Sequence, residues 1–128
     1  MAQRDPITCH VLNTLTGTPA AGLDVTLTLL DHDNAEEFTA TTNADGRVGQ
    51  WTGGKETVGA KLLPRGGKTD WSVRFNVGPW YEAQGVESFW PEIEVKFSVK
   101  GREGEPGWRH YHVPVLLGPW NYSTYRGS

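Results

Sequence analysis

Residues 92–100 read EIEVKFSVK, and this stretch decides the fold. Ile93, Val95, Phe97 and Val99 fall on one side, and Glu94, Lys96, Ser98 and Lys100 on the other. Strict alternation of this kind is the mark of a strand with one face on a core and one in water. The same period recurs elsewhere in the chain. Residues 71–77 (WSVRFNV) set Trp71, Val73, Phe75 and Val77 against Ser72, Arg74 and Asn76. Residues 24–30 (DVTLTLL) set Val25, Leu27 and Leu29 against Asp24, Thr26 and Thr28. In ITCHVL (7–12), Ile7, Cys9 and Val11 oppose Thr8, His10 and Leu12. Asp45-Gly46 is a hairpin signal, because glycine reaches positive φ without steric cost, and Arg47 opens the strand that follows. Segments 17–22 and 52–70 read as loops, the second long and glycine-rich, and the two Gly-Pro-Trp triplets (78–80 and 118–120) as turns. Only 78–92 lacks alternation; there Pro79 starts a short helix and Gly85 stops it. About seven or eight strands at this spacing predict an all-β domain, a two-sheet sandwich with one short helix.

Composition narrows the function classes. A length of 128 residues is one ordinary domain, here 1–128, with 1–5 expected to be a flexible extension. With 37% hydrophobic and 21% charged residues, the chain has the balance of a soluble globular protein. A net charge of −3 without a basic patch argues against nucleic acid, and no run reaches membrane-spanning length. The single cysteine, Cys9, cannot form an intrachain disulfide; it sits on a core face, where thiols are inert, and fits a reducing compartment. The first residues have no apolar core of a secretory signal and the last are not Ser-Lys-Leu, so the expected compartment is the cytoplasm, with the peroxisome as the alternative.

Chemistry concentrates in WRHYHVPVLL (108–117). Tyr111, Val113, Val115 and Leu117 make a core face, so His110 and His112 share the other, about 7 Å apart along the strand. Two imidazoles on one face outside the core suit proton transfer near neutrality, although histidines on a solvent face are most often simply solvated. A zinc reading with His10 as third ligand has the right spacing but no Cys-x-x-Cys or carboxylate partner. His10 points away from the core, His32 lies in a polar turn, and Arg47 follows a tight turn where surface arginines are common. Residues 101–107 have phosphate-loop composition without the lysine-serine pair, and no Gly-x-Ser-x-Gly elbow is present.

Four blocks carry a resemblance: TCHVLNTLTGTPAAGLDVTL (8–27), NADGR (43–47), ESFWPEIEV (87–95) and YHVPVLLGPWNYSTYRGS (111–128). In order and from about Pro6 to Ser128, they resemble the 5-hydroxyisourate hydrolases, the transthyretin-related enzymes of urate breakdown. The terminal Tyr-Arg-Gly-Ser is the most specific element. The resemblance implies a transthyretin-like sandwich assembled as a homotetramer, a dimer of dimers with a central channel. It implies His10, Arg47, His112 and Ser128 as catalytic residues, Tyr125, Arg126, Gly127 and His110 as substrate-binding residues, and neither metal nor cofactor. The implied partner is the small-molecule substrate 5-hydroxyisourate, opened to 2-oxo-4-hydroxy-4-carboxy-5-ureidoimidazoline, with no role for nucleic acid or membrane. In that picture a histidine activates water and Arg47 holds the developing oxyanion. Asn13, Gly118, Trp120 and Asn121 depart from the family's usual residues beside the site block. A hormone-like small-molecule carrier of the same fold is the main competing expectation, followed by a tryptophan-rich carbohydrate-binding module and a zinc hydrolase.

Overall fold

Alternating apolar side chains become two facing sheets in the computed structural model, which describes residues 4–31 and 35–128. His32 lies outside the described residues. The strands are β1 (Ile7–Asn13), β2 (Thr18–Pro19), β3 (Asp24–Leu29), β4 (Glu36–Thr41), β5 (Arg47–Val48), β6 (Lys68–Phe75), β7 (Ile93–Lys100), β8 (Tyr111–Leu117) and β9 (Tyr122–Thr124). The helix α1 spans Val77–Glu82. One sheet runs β2-β1-β8-β9, with β5 also paired to β1; the other runs β4-β3-β6-β7. In the second sheet every pairing is antiparallel. In the first, β1 and β8 run parallel over seven residue pairs, from Ile7↔Tyr111 to Asn13↔Leu117.

The core lies between the sheets. Ile7, Cys9, Val11, Val113, Val115 and Leu117 point in from one side, and Val25, Leu27, Trp71, Val73, Phe75, Ile93 and Val99 from the other, all buried. Burying each such side chain contributes roughly 1.5–3 kcal/mol before ordering costs. The alternation therefore assigned these faces correctly. Val95 and Phe97 stay half-buried, because β7 is an edge strand and its middle is not fully covered. Ser72, on the face expected to meet water, is buried instead and donates to the Glu94 carboxylate at 2.6 Å.

Several boundaries differ from the sequence expectation. The helix begins at Val77, two residues before Pro79. Pro79 fits inside the first turn, where no intrahelical N–H bond is needed. The helix itself ends at Glu82, and Gly85, φ +74, closes the turn that follows: its N–H donates to Glu82 O while that of Val86 donates to Tyr81 O. The first Gly-Pro-Trp triplet is therefore helical, and only the second is a bend. The segment 52–70 is less open than expected. It holds a single 3-10 turn (Gly59–Lys61), its Val58 and Leu62 seal the core, and β6 already starts at Lys68. The 17–22 loop contains β2, which extends β1 through Leu12↔Pro19 and Asn13↔Thr18. Asp45-Gly46 makes a turn but not a simple hairpin, because the strands it joins belong to different sheets. Asp5, expected within an N-terminal extension, donates its N–H to Gly49 O and accepts from Trp51 N–H through its carboxylate. No helix among the described residues is long and apolar enough to cross a membrane.

Candidate active site

The site forms on the outer face of the first sheet, from strands far apart in the chain. On β1, Thr8 and His10 point away from the core. Register places His10 against Arg47 of β5 and Thr8 against His112 of β8. Arg47 is aimed by the turn before it. The Asn43 side-chain oxygen accepts from the N–H groups of Asp45 and Arg47, both at 2.9 Å. Gly46 sits at φ +75, and a Cβ there would lie 2.4 Å from Val11 O, so the turn presses onto β1 and only glycine fits. Among the described residues, no carboxylate forms an ion pair with Arg47.

The tail reaches the same place by extending the sheet. β9 pairs antiparallel with β8 through Val115↔Thr124, Leu116↔Ser123 and Leu117↔Tyr122. The same register continues to a bridge between His112 and Gly127, whose N–H donates to His112 O at 2.9 Å. A Cβ on Gly127 would stand 2.8 Å from the His112 ring and 2.9 Å from Pro114, so the tail lies directly against the histidine. Alternation then sends Arg126 to the opposite face. Its guanidinium sits 3.9 Å above the Tyr111 ring and donates to Arg109 O at 3.2 Å.

Thr8, Arg47, His112 and Ser128, with Arg4 and Asn43, line one pocket of about 310 Å³. His10 flanks it beside Arg47. His110 stands behind His112, ring centroids 6.5 Å apart, and both rings meet the Thr8 hydroxyl. Tyr125 and Arg126 line a neighbouring hollow with Tyr111 and Phe97, and His112 borders both that hollow and the Arg47 pocket. Among the described residues no group of three or more His, Cys, Asp or Glu is arranged to hold a metal ion.

The electrostatics favour neutral imidazoles. Burial, then the Arg47 charge, lower the pKa of both His10 and His112. Burial, with Arg4, His112 and Arg126 nearby, brings His110 down to about 4. A neutral imidazole next to an unpaired guanidinium can take a proton from water while the cation faces developing negative charge. Cys9, buried, is pushed up to about 12 and stays a thiol. Sequence reasoning missed Thr8, Arg4 and Asn43. Thr8 shares the outward face of His10, but its place beside His112 follows from the β1–β8 register, which alternation does not encode.

Two antiparallel-rich sheets packed face to face, with a pocket on one outer face where strand β8 meets the C-terminal tail, define a β-sandwich class of fold. The chain belongs to the HIUase/Transthyretin family, whose model matches residues 7–127. A probable 5-hydroxyisourate hydrolase of Schizosaccharomyces pombe is 38% identical, the match covering 98% of this chain and 94% of that protein. A 5-hydroxyisourate hydrolase of Mesorhizobium japonicum is 41% identical over 95% of this chain and 91% of that one. The structure of Klebsiella pneumoniae 5-hydroxyisourate hydrolase superposes with a TM-score of 0.71 at 28% identity, covering 99% of this chain and 100% of that one. Sea bream transthyretin in complex with thyroxine superposes at 0.75 with 24% identity, covering 95% and 94%, a likeness of fold alone.

Proposed function

We propose that the chain hydrolyses 5-hydroxyisourate, opening its ring to 2-oxo-4-hydroxy-4-carboxy-5-ureidoimidazoline. The observation that carries this reading is the convergence of His112, Arg47 and Ser128 on one pocket, in a chain whose hydrolase relatives match it almost end to end. A pocket of about 310 Å³ suits a small bicyclic molecule. In the proposed step, a neutral imidazole takes a proton from water and the resulting hydroxide oxygen bonds to the cyclic amide carbon. Arg47 steadies the oxyanion, the carbon–nitrogen bond breaks, and the proton passes to the departing nitrogen. Arg47 suits the second task because a guanidinium keeps its charge at every working pH. His10 flanks this guanidinium, and Gly127 seats the tail so that Ser128 reaches the pocket. The carrier reading rests on fold likeness and accounts for neither the unpaired arginine nor the neutral histidines.

The working assembly in this reading is a homotetramer, a dimer of dimers. What supports it is the surface: among the described residues β7 and β9 end their sheets without a further strand, and Leu15, Leu116, Phe89 and Trp120 are exposed. Tyr125, Arg126 and His110 are read as substrate-binding, the first two through that assembly. The cytoplasm is the proposed compartment, in keeping with a single reduced, buried thiol.

The decisive experiment follows freshly generated 5-hydroxyisourate by ultraviolet absorbance. Micromolar protein should speed its decay well beyond the spontaneous rate and leave urate unchanged. A decay curve identical with and without protein would overturn the assignment.

A further inference from the structure

The Thr8 hydroxyl lies 2.8 Å from His110 Nε2 and 2.7 Å from His112 Nδ1. A hydroxyl has one hydrogen to give and two lone pairs to receive with, so it donates to at most one of the two rings. Thr8 is 5% exposed, which makes a wasted donor costly. Every atom is satisfied when one ring donates to Thr8 and Thr8 donates to the other. The direction of this chain is set at the pocket. His112 lines it together with Arg4 and Arg47 and also borders the hollow that holds Arg126, so cations face the ring from both sides. A lone pair on the pocket-side nitrogen of His112 attracts those cations, whereas an N–H there repels them. The proton of His112 is therefore favoured on Nδ1, toward Thr8. His110, held neutral mainly by burial and then by the surrounding cations, is free to accept from Thr8 at Nε2.

We propose that Thr8, backed by His110, is a positioning residue that locks His112 in the Nδ1–H tautomer, leaving the Nε2 lone pair in the pocket to take the proton of the attacking water. This rests on the hydrolase reading and adds to it which histidine is the base, which of its atoms acts, and what holds it. His110 then acts through Thr8 on the tautomer.

Two measurements on the intact protein test it. Long-range proton–nitrogen correlation NMR on histidine-labelled protein at pH 7.5 should show His112 protonated at Nδ1 and bare at Nε2. Finding the proton on Nε2 overturns the proposal, whatever the activity. In kinetics, Thr8→Val keeps shape but cannot bond either ring, and should lower kcat up to about a hundredfold while KM stays within about twofold. Thr8→Ser should restore most of the rate. A Thr8→Val protein as fast as the parent, with His112 still protonated only at Nδ1, overturns the positioning role and leaves the hydrolase reading standing. Failure of the parent protein to open 5-hydroxyisourate sinks that reading instead, while the NMR result still decides the tautomer.

Discussion

In the proposed reaction Arg47 and His112 carry the chemistry, and what surrounds them suits them to it. Arg47 has no carboxylate partner among the described residues, so its charge is available to a ligand. Arg47→Ala should lower kcat by about a hundredfold or more, the scale of a lost oxyanion donor, and Arg47→Lys should recover little because the planar fork is gone. His112→Asn should cost more than Arg47→Ala. Acidity gives a second check. The folded-state pKa of His112 lies below the ordinary imidazole value, so its base form persists through neutrality. Initial rates should be flat from pH 8 to about 6.5 and fall only as pH drops through the lowered value. The same depression acts on stability. Between about 6.5 and about 4 an unfolded histidine binds a proton that native His110 refuses. The native state therefore loses stability as pH falls through that window, and the loss from this group levels off below it. Thermal melts across the window should show the decline. His10, Arg47 and His112 could be singled out in the sequence because their motif blocks are distinctive. Thr8 could not, since its partners lie 102 and 104 residues away.

At the scale of elements, the tail behaves as part of a sheet. Gly127 has no room for a methyl group against His112 and Pro114. Gly127→Ala should displace the ring or lift the tail, lowering the rate on the order of tenfold or more while the melting temperature barely moves. Removing Arg126-Gly127-Ser128 should cost roughly a hundredfold in turnover with the sandwich intact, as read by circular dichroism. A truncated protein at full rate would show that the tail has no part in the site. Strongly alternating strands such as β3, β6 and β7 were plain in the sequence. β4 was not singled out, because only Phe38 is fully buried along it and an edge strand leaves a faint apolar pattern. The helix start was misplaced because Pro79 marks a first turn without marking its first residue.

For the whole molecule, stability rests on the filled space between the sheets. Leu27 is fully buried at its centre, and Leu27→Ala should cost about 2–5 kcal/mol, measurable by chemical denaturation. Light scattering on the active protein should report about four times the 14.2 kDa chain mass. A fully active monomer would overturn the tetramer. The parallel pairing of β1 with β8 has a consequence for synthesis. The second sheet is made entirely from residues between Asp24 and Lys100, whereas the first needs strands from both sides of that span. A ribosome therefore delivers all of one sheet while the apolar face of β1 has no central partner, and the core closes only when β8 emerges. A chain halted after Lys100 presents an uncovered oily layer to the cell and should be held by chaperones or precipitate, while the 17 residues that follow, up to Leu117 at the end of β8, convert the same polypeptide into a closed sandwich.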